Sequence, residues 1–202
     1  MDRRKFFTTI ADNLAHSAVK IADDYVQKRA RNWIRPPYAL NELEFLLACT
    51  RCDKCIDACP HKVIFRLPAR LGAQVVGTPA MDLLHKGCHL CDDWPCVNAC
   101  EPGALKFFEE GEDHKIPLPK LAYAEIDTQR CLPYNGPECG ACEPVCPVPG
   151  ALKMDLTRPF IDPEVCTGCA LCREACVVED KAIHIHTIHT DDSSDNQDTE
   201  CV

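Results

Sequence analysis

Apolar residues recur at spacings of three and four along the start of the chain, at Phe6, Phe7, Ile10, Leu14, Ala18, Ile21 and Tyr25. Asp12, Lys20, Asp23, Asp24 and Lys28 fall between them. That period predicts an amphipathic helix within residues 1–35, opening at Asp2 and Arg3. Ile34-Arg35-Pro36-Pro37 ends it, because proline cannot continue a helix and restricts the residue before it. Asn41 to Ala48 predicts a second, short helix with Asn41 as its N-cap. Further on the apolar runs shorten to strand length. Gly103-Ala104-Leu105-Lys106-Phe107 matches Gly150-Ala151-Leu152-Lys153-Met154, and Lys181-Ala182-Ile183-His184-Ile185 echoes both. Tyr123 to Asp127 and Pro159 to Asp162 supply two more strands. In the last strand, alternation turns Ile183 and Ile185 inward and His184 and His186 outward. Residues 190–202 are polar and acidic without an apolar pattern, which predicts a disordered tail.

Cysteine breaks this pattern at regular intervals. The first group is Cys49, Cys52, Cys55 and Cys59, followed by Pro60. The second is Cys88, Cys91, Cys96 and Cys100, with Asp92-Asp93-Trp94-Pro95 widening its middle gap. The third is Cys131, Cys139, Cys142 and Cys146, followed by Pro147 and stretched at its first gap. The fourth is Cys166, Cys169, Cys172 and Cys176, followed by Val177. Sixteen of the 17 cysteines fall in these groups, which recur about every 40 residues as an internal repeat.

The run Cys-x2-Cys-x2-Cys-x3-Cys-Pro wraps a [4Fe–4S] cluster in bacterial ferredoxins, its fourth cysteine ligating the neighbouring cluster. Four such groups predict four [4Fe–4S] clusters, the sixteen cysteines being both the cofactor-binding and the metal-ligating residues. A zinc ribbon needs only two Cys-x2-Cys arms and leaves the third cysteine and the trailing x3-Cys-Pro unexplained. An odd count and spacings too tight for separate bridges oppose a disulfide scaffold. Two pairings stay open, the first group with the second and third with fourth, or a nested order. The Gly103 strand followed by Ala124 to Asp127 favours nesting, with Cys100 and Cys146 exchanged between the inner groups and Cys59 and Cys176 between the outer ones. Cys131 is the weakest candidate, because Gly136 stands where a regular motif has its first cysteine. Cys201, in the tail, is expected to be a free thiol.

The fold expected is α+β: tandem or nested two-cluster ferredoxin units, alpha-beta plaits with short strands, preceded by the amphipathic helix. The organisation expected is 1–35 helix and linker, 36–189 four-cluster domain and 190–202 tail. The inner unit then covers about 80–155, and the outer about 45–75 plus 158–189. Aromatic residues make up only 6% of the chain, so the apolar core is thin and metal ligation supplies folding free energy. The metal-free chain is expected to be largely unfolded.

The formal charge is −9, which opposes nucleic-acid binding and suits docking to a basic patch on a redox partner. Arg3-Arg4-Lys5-Phe6-Phe7 is similar to a twin-arginine export start, yet Asp12, His16 and Lys20 interrupt the apolar region that should follow. No stretch is apolar enough to span a membrane, so any membrane contact is peripheral, through residues 3–29. A cytoplasmic location is expected, or a periplasmic one if the arginine pair is functional. His61, His85 and His89 are placed to hydrogen-bond cluster sulfur, and Trp94 to cover its cluster. No phosphate loop, catalytic triad or carboxylate pair accompanies them, so catalysis by this chain alone is not expected.

Arg35 to Cys59, the Cys88 to Cys96 loop and the stretched third group resemble the NapG/MauM family of ferredoxin-type proteins. The resemblance covers residues 35 to about 188. It implies electron transfer between a membrane quinol-oxidising partner and a terminal redox enzyme, in systems such as periplasmic nitrate reduction and methylamine utilisation. The cluster motifs are also similar to NapF, which implies the alternative of a maturation or interaction protein for a cytoplasmic redox apoenzyme.

Overall fold

The computed structural model of the chain describes residues 20–26, 28–30, 33–107 and 116–188. Its elements are α1 (Glu42–Ala48), α2 (Lys54–Asp57), β1 (Ile64–Arg66), β2 (Pro79–Met81), α3 (Pro95–Asn98), β3 (Ala122–Ile126), β4 (Leu152–Asp155), β5 (Arg158–Ile161), α4 (Leu171–Ala175) and β6 (Ile183–Thr187). Single 3-10 turns lie at Ala69–Leu71 and Leu132–Tyr134.

The strands form three antiparallel pairs, β1 with β2, β3 with β6 and β4 with β5. A fourth pairing is shorter. Ala39 bridges Leu105, Leu40 N–H donates to Ala104 O at 3.0 Å, and Lys106 N–H donates to Tyr38 O at 2.9 Å. One plan therefore occurs twice: residues 38–40 and 104–106 close around the β1–β2 hairpin, and β3 and β6 close around β4–β5. The expected strands after the second, third and fourth groups all take part. The β1–β2 hairpin was not expected, because three residues are too few to show a period and Pro79 argues against a strand.

Burial alternates along β6, with Ile183, Ile185 and Thr187 inward. His184 Nε2 and His186 Nε2 face Asp127 and Glu125 at 3.6 and 3.7 Å across the β3 edge. Helix α1 lies where Asn41 to Ala48 predicted it, but the Asn41 side chain does not cap it; the Asn41 carbonyl accepts Phe45 N–H at 2.7 Å.

One apolar core runs through both halves and includes Phe45, Val63, Ile64, Leu83, Leu105, Leu121, Ile183 and Ile185. Cys55, Cys96, Cys142, Cys169 and Cys172 are buried within it, so the thiols are part of the core they supplement. A smaller cluster holds Ala30, Trp33, Leu67, Val75 and Ala80. Between them lies a buried ion pair. Glu42 accepts from Arg35 Nε at 2.9 Å, Arg35 Nη2 at 2.5 Å and Trp33 Nε1 at 3.2 Å, and Arg35 Nη1 also holds Pro79 O at 2.7 Å. This clamp fixes the chain entering the first cysteine group onto β2.

Residues 20–26 and 28–30 are helical, and their buried face is not the expected one. Val26 and Ala30 pack inward, whereas Ile21 (69% exposed) and Tyr25 (53% exposed) face out. Phe6, Phe7, Ile10, Leu14 and Ala18 lie outside the described residues, as do His189, Cys201 and the expected tail.

Candidate metal centres

Three of the four cysteine loops are bent at corresponding places by residues in the left-handed region. Arg51, Leu90 and Gly168 (φ 59°, 47° and 72°) each precede the second cysteine of their group, and Asp53, Trp94 and Ala170 (63°, 43° and 67°) stand two before the third. For a residue with a Cβ this conformation costs roughly 1–2 kcal/mol, and five of the eight such residues described are in these loops. That conformation aims backbone N–H groups at sulfur. The N–H of Arg51 points at Cys49, of Lys54 at Cys52, of Leu90 at Cys88, and of Leu171 at Cys169. Gly168 N–H donates to Cys166 Sγ at 3.3 Å. Successive N–H groups of this kind make a nest for an anion.

The short helices then separate the third cysteine from the fourth. Cys55, Cys96 and Cys172 lie in α2, α3 and α4, and Cys59, Cys100 and Cys176 follow four residues on. At helical rise this carries the fourth cysteine about 6 Å along the axis, out of its own loop. The third group is built differently. After Cys131 the 3-10 turn Leu132–Tyr134 reverses the chain, and Asn135 Nδ2 donates to the carbonyls of Thr128, Gln129 and Cys131 at 3.0, 3.0 and 2.9 Å. That loop returns the buried Cys131 to the neighbourhood of Cys139 and Cys176.

The sixteen thiols are free and converge in four sets. Cys100 acts on Cys49 and Cys55; Cys59 acts on Cys88, Cys91 and Cys96. Cys176 acts on Cys131 and Cys142; Cys146 acts on Cys166 and Cys169. Cys49, Cys52, Cys55 and Cys100 line one cavity, and Cys146, Cys166, Cys169 and Cys172 another. The fourth cysteines are thus exchanged between the first and second groups and between the third and fourth. These thiol positions differ from the nested order, in which Cys59 would meet the fourth group and Cys100 the third. The reason lies in the outer strand pairs. The Gly103 strand turns back to Tyr38–Leu40 instead of pairing with the neighbouring β3, so each half closes on itself.

Burial, with neighbouring thiolates adding to it, pushes Cys55, Cys96 and Cys172 up to about 12 and Cys88 and Cys142 up to about 11. Cys52, exposed, is lowered by the Lys54 N–H and then the Thr50 hydroxyl. Crowded, buried thiols beside inward N–H groups fit a group that supplies positive charge to the thiolates and accepts hydrogen bonds on sulfur. Thr167 Oγ1 points the same way. It is buried in the wall of the Cys146 cavity and acts on the Cys169 thiol, yet no partner at hydrogen-bonding geometry satisfies it. Among the described residues no three His, Cys, Asp or Glu side chains could share one metal ion, whereas a four-iron cluster spreads its ligands over four irons.

The other candidates divide. His61 and His89 stack at 3.5 Å between the first two groups. His85 is turned away, its exposed ring bonded to Asp82 at 2.8 Å. Trp94 packs edge-on against Tyr38 at 4.9 Å, joining the second loop to the outer strand of its half. Sequence reasoning missed Arg35 and Glu42 as supports of the first loop, and Gly87 as the residue that lies against the Leu171 backbone. The proline pair beside Arg35 was the one signal available for the first two.

Two family models match the chain. One described as a 4Fe-4S dicluster domain covers residues 87–151, and one described as a 4Fe-4S binding domain covers 46–70 and 163–177. The dicluster match spans the second and third groups, unlike the exchange of thiols in the structure. The chain is 34% identical to the ferredoxin-type protein NapG of Haemophilus influenzae, over 91% of this chain and 71% of that one. It is 33% identical to the methylamine utilization ferredoxin-type protein MauM of Methylobacillus flagellatus, over 75% and 67%. It is 29% identical to the ferredoxin-type protein NapF of Escherichia coli, over 75% and 84%. No solved structure matches. No helix among the described residues is long and apolar enough to cross a membrane. At this identity across most of both chains, the protein belongs to the NapG/MauM family of ferredoxin-type proteins and is an iron–sulfur electron-transfer protein.

Proposed function

We propose that the sixteen cysteines of the four loops hold four [4Fe–4S] clusters, through which the chain passes single electrons between redox partner proteins. The observation that carries this reading is the exchange of fourth cysteines, which gives every set four thiols. The ligand sets are Cys49, Cys52, Cys55 and Cys100; Cys59, Cys88, Cys91 and Cys96; Cys131, Cys139, Cys142 and Cys176; and Cys146, Cys166, Cys169 and Cys172. A cluster in each supplies a reversible one-electron couple. The chain's own residues bury the thiols, aim N–H groups at their sulfur to favour the more reduced state, and hold the sets in one continuous core. Residues 36–189 act as one four-cluster domain of two units in series. The N-terminal amphipathic helix precedes it. The chain is a carrier within a larger oxidoreductase complex and not itself an enzyme.

Its negative charge suits basic docking patches. The relation to ferredoxin-type proteins supports work between redox partners, and those we propose are a membrane quinol-oxidising subunit and a terminal redox enzyme. The location proposed is the cytoplasm, at the membrane surface through residues 3–29, with the periplasm the outcome if Arg3 and Arg4 direct export. Cell fractionation decides between the two.

Anaerobic isolation followed by iron and sulfide analysis tests the cofactor content, with about sixteen irons per chain expected. Rapid mixing of the reduced protein with its co-purified partner complex then tests the role. Electron exchange on the timescale of turnover supports the relay. Binding only to a cofactor-free client would support a NapF-like maturation role instead.

A further inference from the structure

The second and third of these ligand sets in space meet across the boundary between the two halves. Cys88 donates its backbone N–H to the Cys169 carbonyl at 2.7 Å. On one side Gly87 N–H donates to Glu174 Oε2 at 2.7 Å, and Arg173 Nε donates to Leu84 O at 3.0 Å. On the other, Gly87 lies against the backbone of Leu171, where a Cβ would come within 2.7 Å of Leu171 N and Cα. Gly87 does not have a positive φ, so glycine serves close approach here and not backbone freedom. Leu83, Leu84 and Ile185 close the joint nearby. Segment 84–88 of the first half is thus joined to residues 169–174 by one backbone–backbone hydrogen bond and two between side chain and backbone.

Within each half the sets are also linked. Cys55 in α2 and Cys59 just beyond its end are four residues apart, and Cys142 acts on Cys172.

We propose that the contact of Gly87 and Cys88 with Cys169 and Leu171 is the crossing point for electrons between the halves. Charge then moves in one spatial order: the Cys49 set, the Cys88 set, the Cys169 set and the Cys131 set, with exchange with partners at the two ends. This rests on the four-cluster reading. In the crossing, one electron leaves the reduced site ligated by Cys88 and reduces the oxidised site ligated by Cys169; no bond forms or breaks and no proton moves. Gly87 is a positioning residue that keeps the two sites close. The order of sites in space differs from the order of groups in sequence, because the fourth group lies inside and the third outside.

The test is the electron paramagnetic resonance spectrum of the anaerobic holoprotein during stepwise reduction, read for magnetic coupling between sites. Wild type is expected to show coupling within each half and between the halves. Gly87→Ala and Glu174→Ala are each expected to keep wild-type iron content and coupling within the halves while losing the coupling between them. Glu174→Gln keeps an acceptor for Gly87 N–H and is expected to retain it. If Gly87→Ala fails to fold, Glu174→Ala carries the test. Fully loaded variants with unchanged coupling between halves, or a loaded wild type with two independent pairs, would overturn the crossing point. A wild type loaded with fewer than four clusters would overturn the four-cluster reading, and the crossing with it.

Discussion

Gly168 approaches Ala122 so closely that a Cβ on it would overlap the Ala122 carbonyl. The same glycine is left-handed at φ 72° and donates its N–H to Cys166 Sγ at 3.3 Å, while Thr167 O accepts the Leu121 N–H at 2.8 Å. One position therefore shapes the fourth loop and seats the start of β3. Gly168→Ala is expected to lose the iron of the Cys166 site and to lower thermal stability. Gly103 has a similar φ of 73° but open space around it. Gly103→Ala is expected to cost only the backbone strain of about 1–2 kcal/mol and to keep full iron content. Iron analysis and thermal unfolding of the two variants check the contrast.

The Arg35–Glu42 pair is buried, with side-chain exposures of 8% and 1%. Removing one partner of a buried pair leaves an uncompensated charge and costs about 3–5 kcal/mol. Glu42→Ala is therefore expected to destabilise the holoprotein by that order. Glu42→Gln keeps one acceptor oxygen, enough for Trp33 Nε1 and Arg35 Nη2, and is expected to cost less. Denaturant midpoints measured by circular dichroism distinguish the two.

In the metal-free fold, Cys55, Cys96 and Cys172 are raised to about 12, chiefly by burial. The unfolded chain loses its thiol protons near pH 8.5, so above that pH the fold binds more protons than the unfolded state. Stability then falls as pH rises. These thiols contribute fully below about pH 8.5, and their contribution is lost towards pH 12. Chelating the iron is expected to remove most ordered structure, and raising the metal-free chain from about pH 7 to 10 to remove more. Far-ultraviolet circular dichroism across that range checks it, and a gain of order with alkali would contradict it.

Where the chemistry depends on spacing, the sequence was informative. The cysteine runs located the loops, and the alternation of Ile183 to His186 located β6 and its faces. Cys131 was obscured because its return depends on Asn135 bonding three carbonyls, a contact with no periodic signature. The partner of each fourth cysteine was obscured for a related reason. It depends on Tyr38–Leu40 pairing with Ala104–Lys106, and three-residue strands carry too little pattern to show which segment they meet. Gly87 carries no signal in the sequence, because its role depends on the Leu171 backbone lying against it. The buried stripe of the helical segment was misplaced, because Val26 and Ala30, and not Ile21 and Tyr25, are the buried residues.

The exchange of fourth cysteines between neighbouring groups is tested most directly by comparing paramagnetic resonance spectra of Cys52→Ser, Cys100→Ser and Cys139→Ser. Each variant is reduced stepwise, and the altered signal is identified by its line shape and potential. The structure predicts that Cys100→Ser alters the same signal as Cys52→Ser and leaves the Cys139→Ser signal intact. A Cys100→Ser spectrum that matches Cys139→Ser would contradict it.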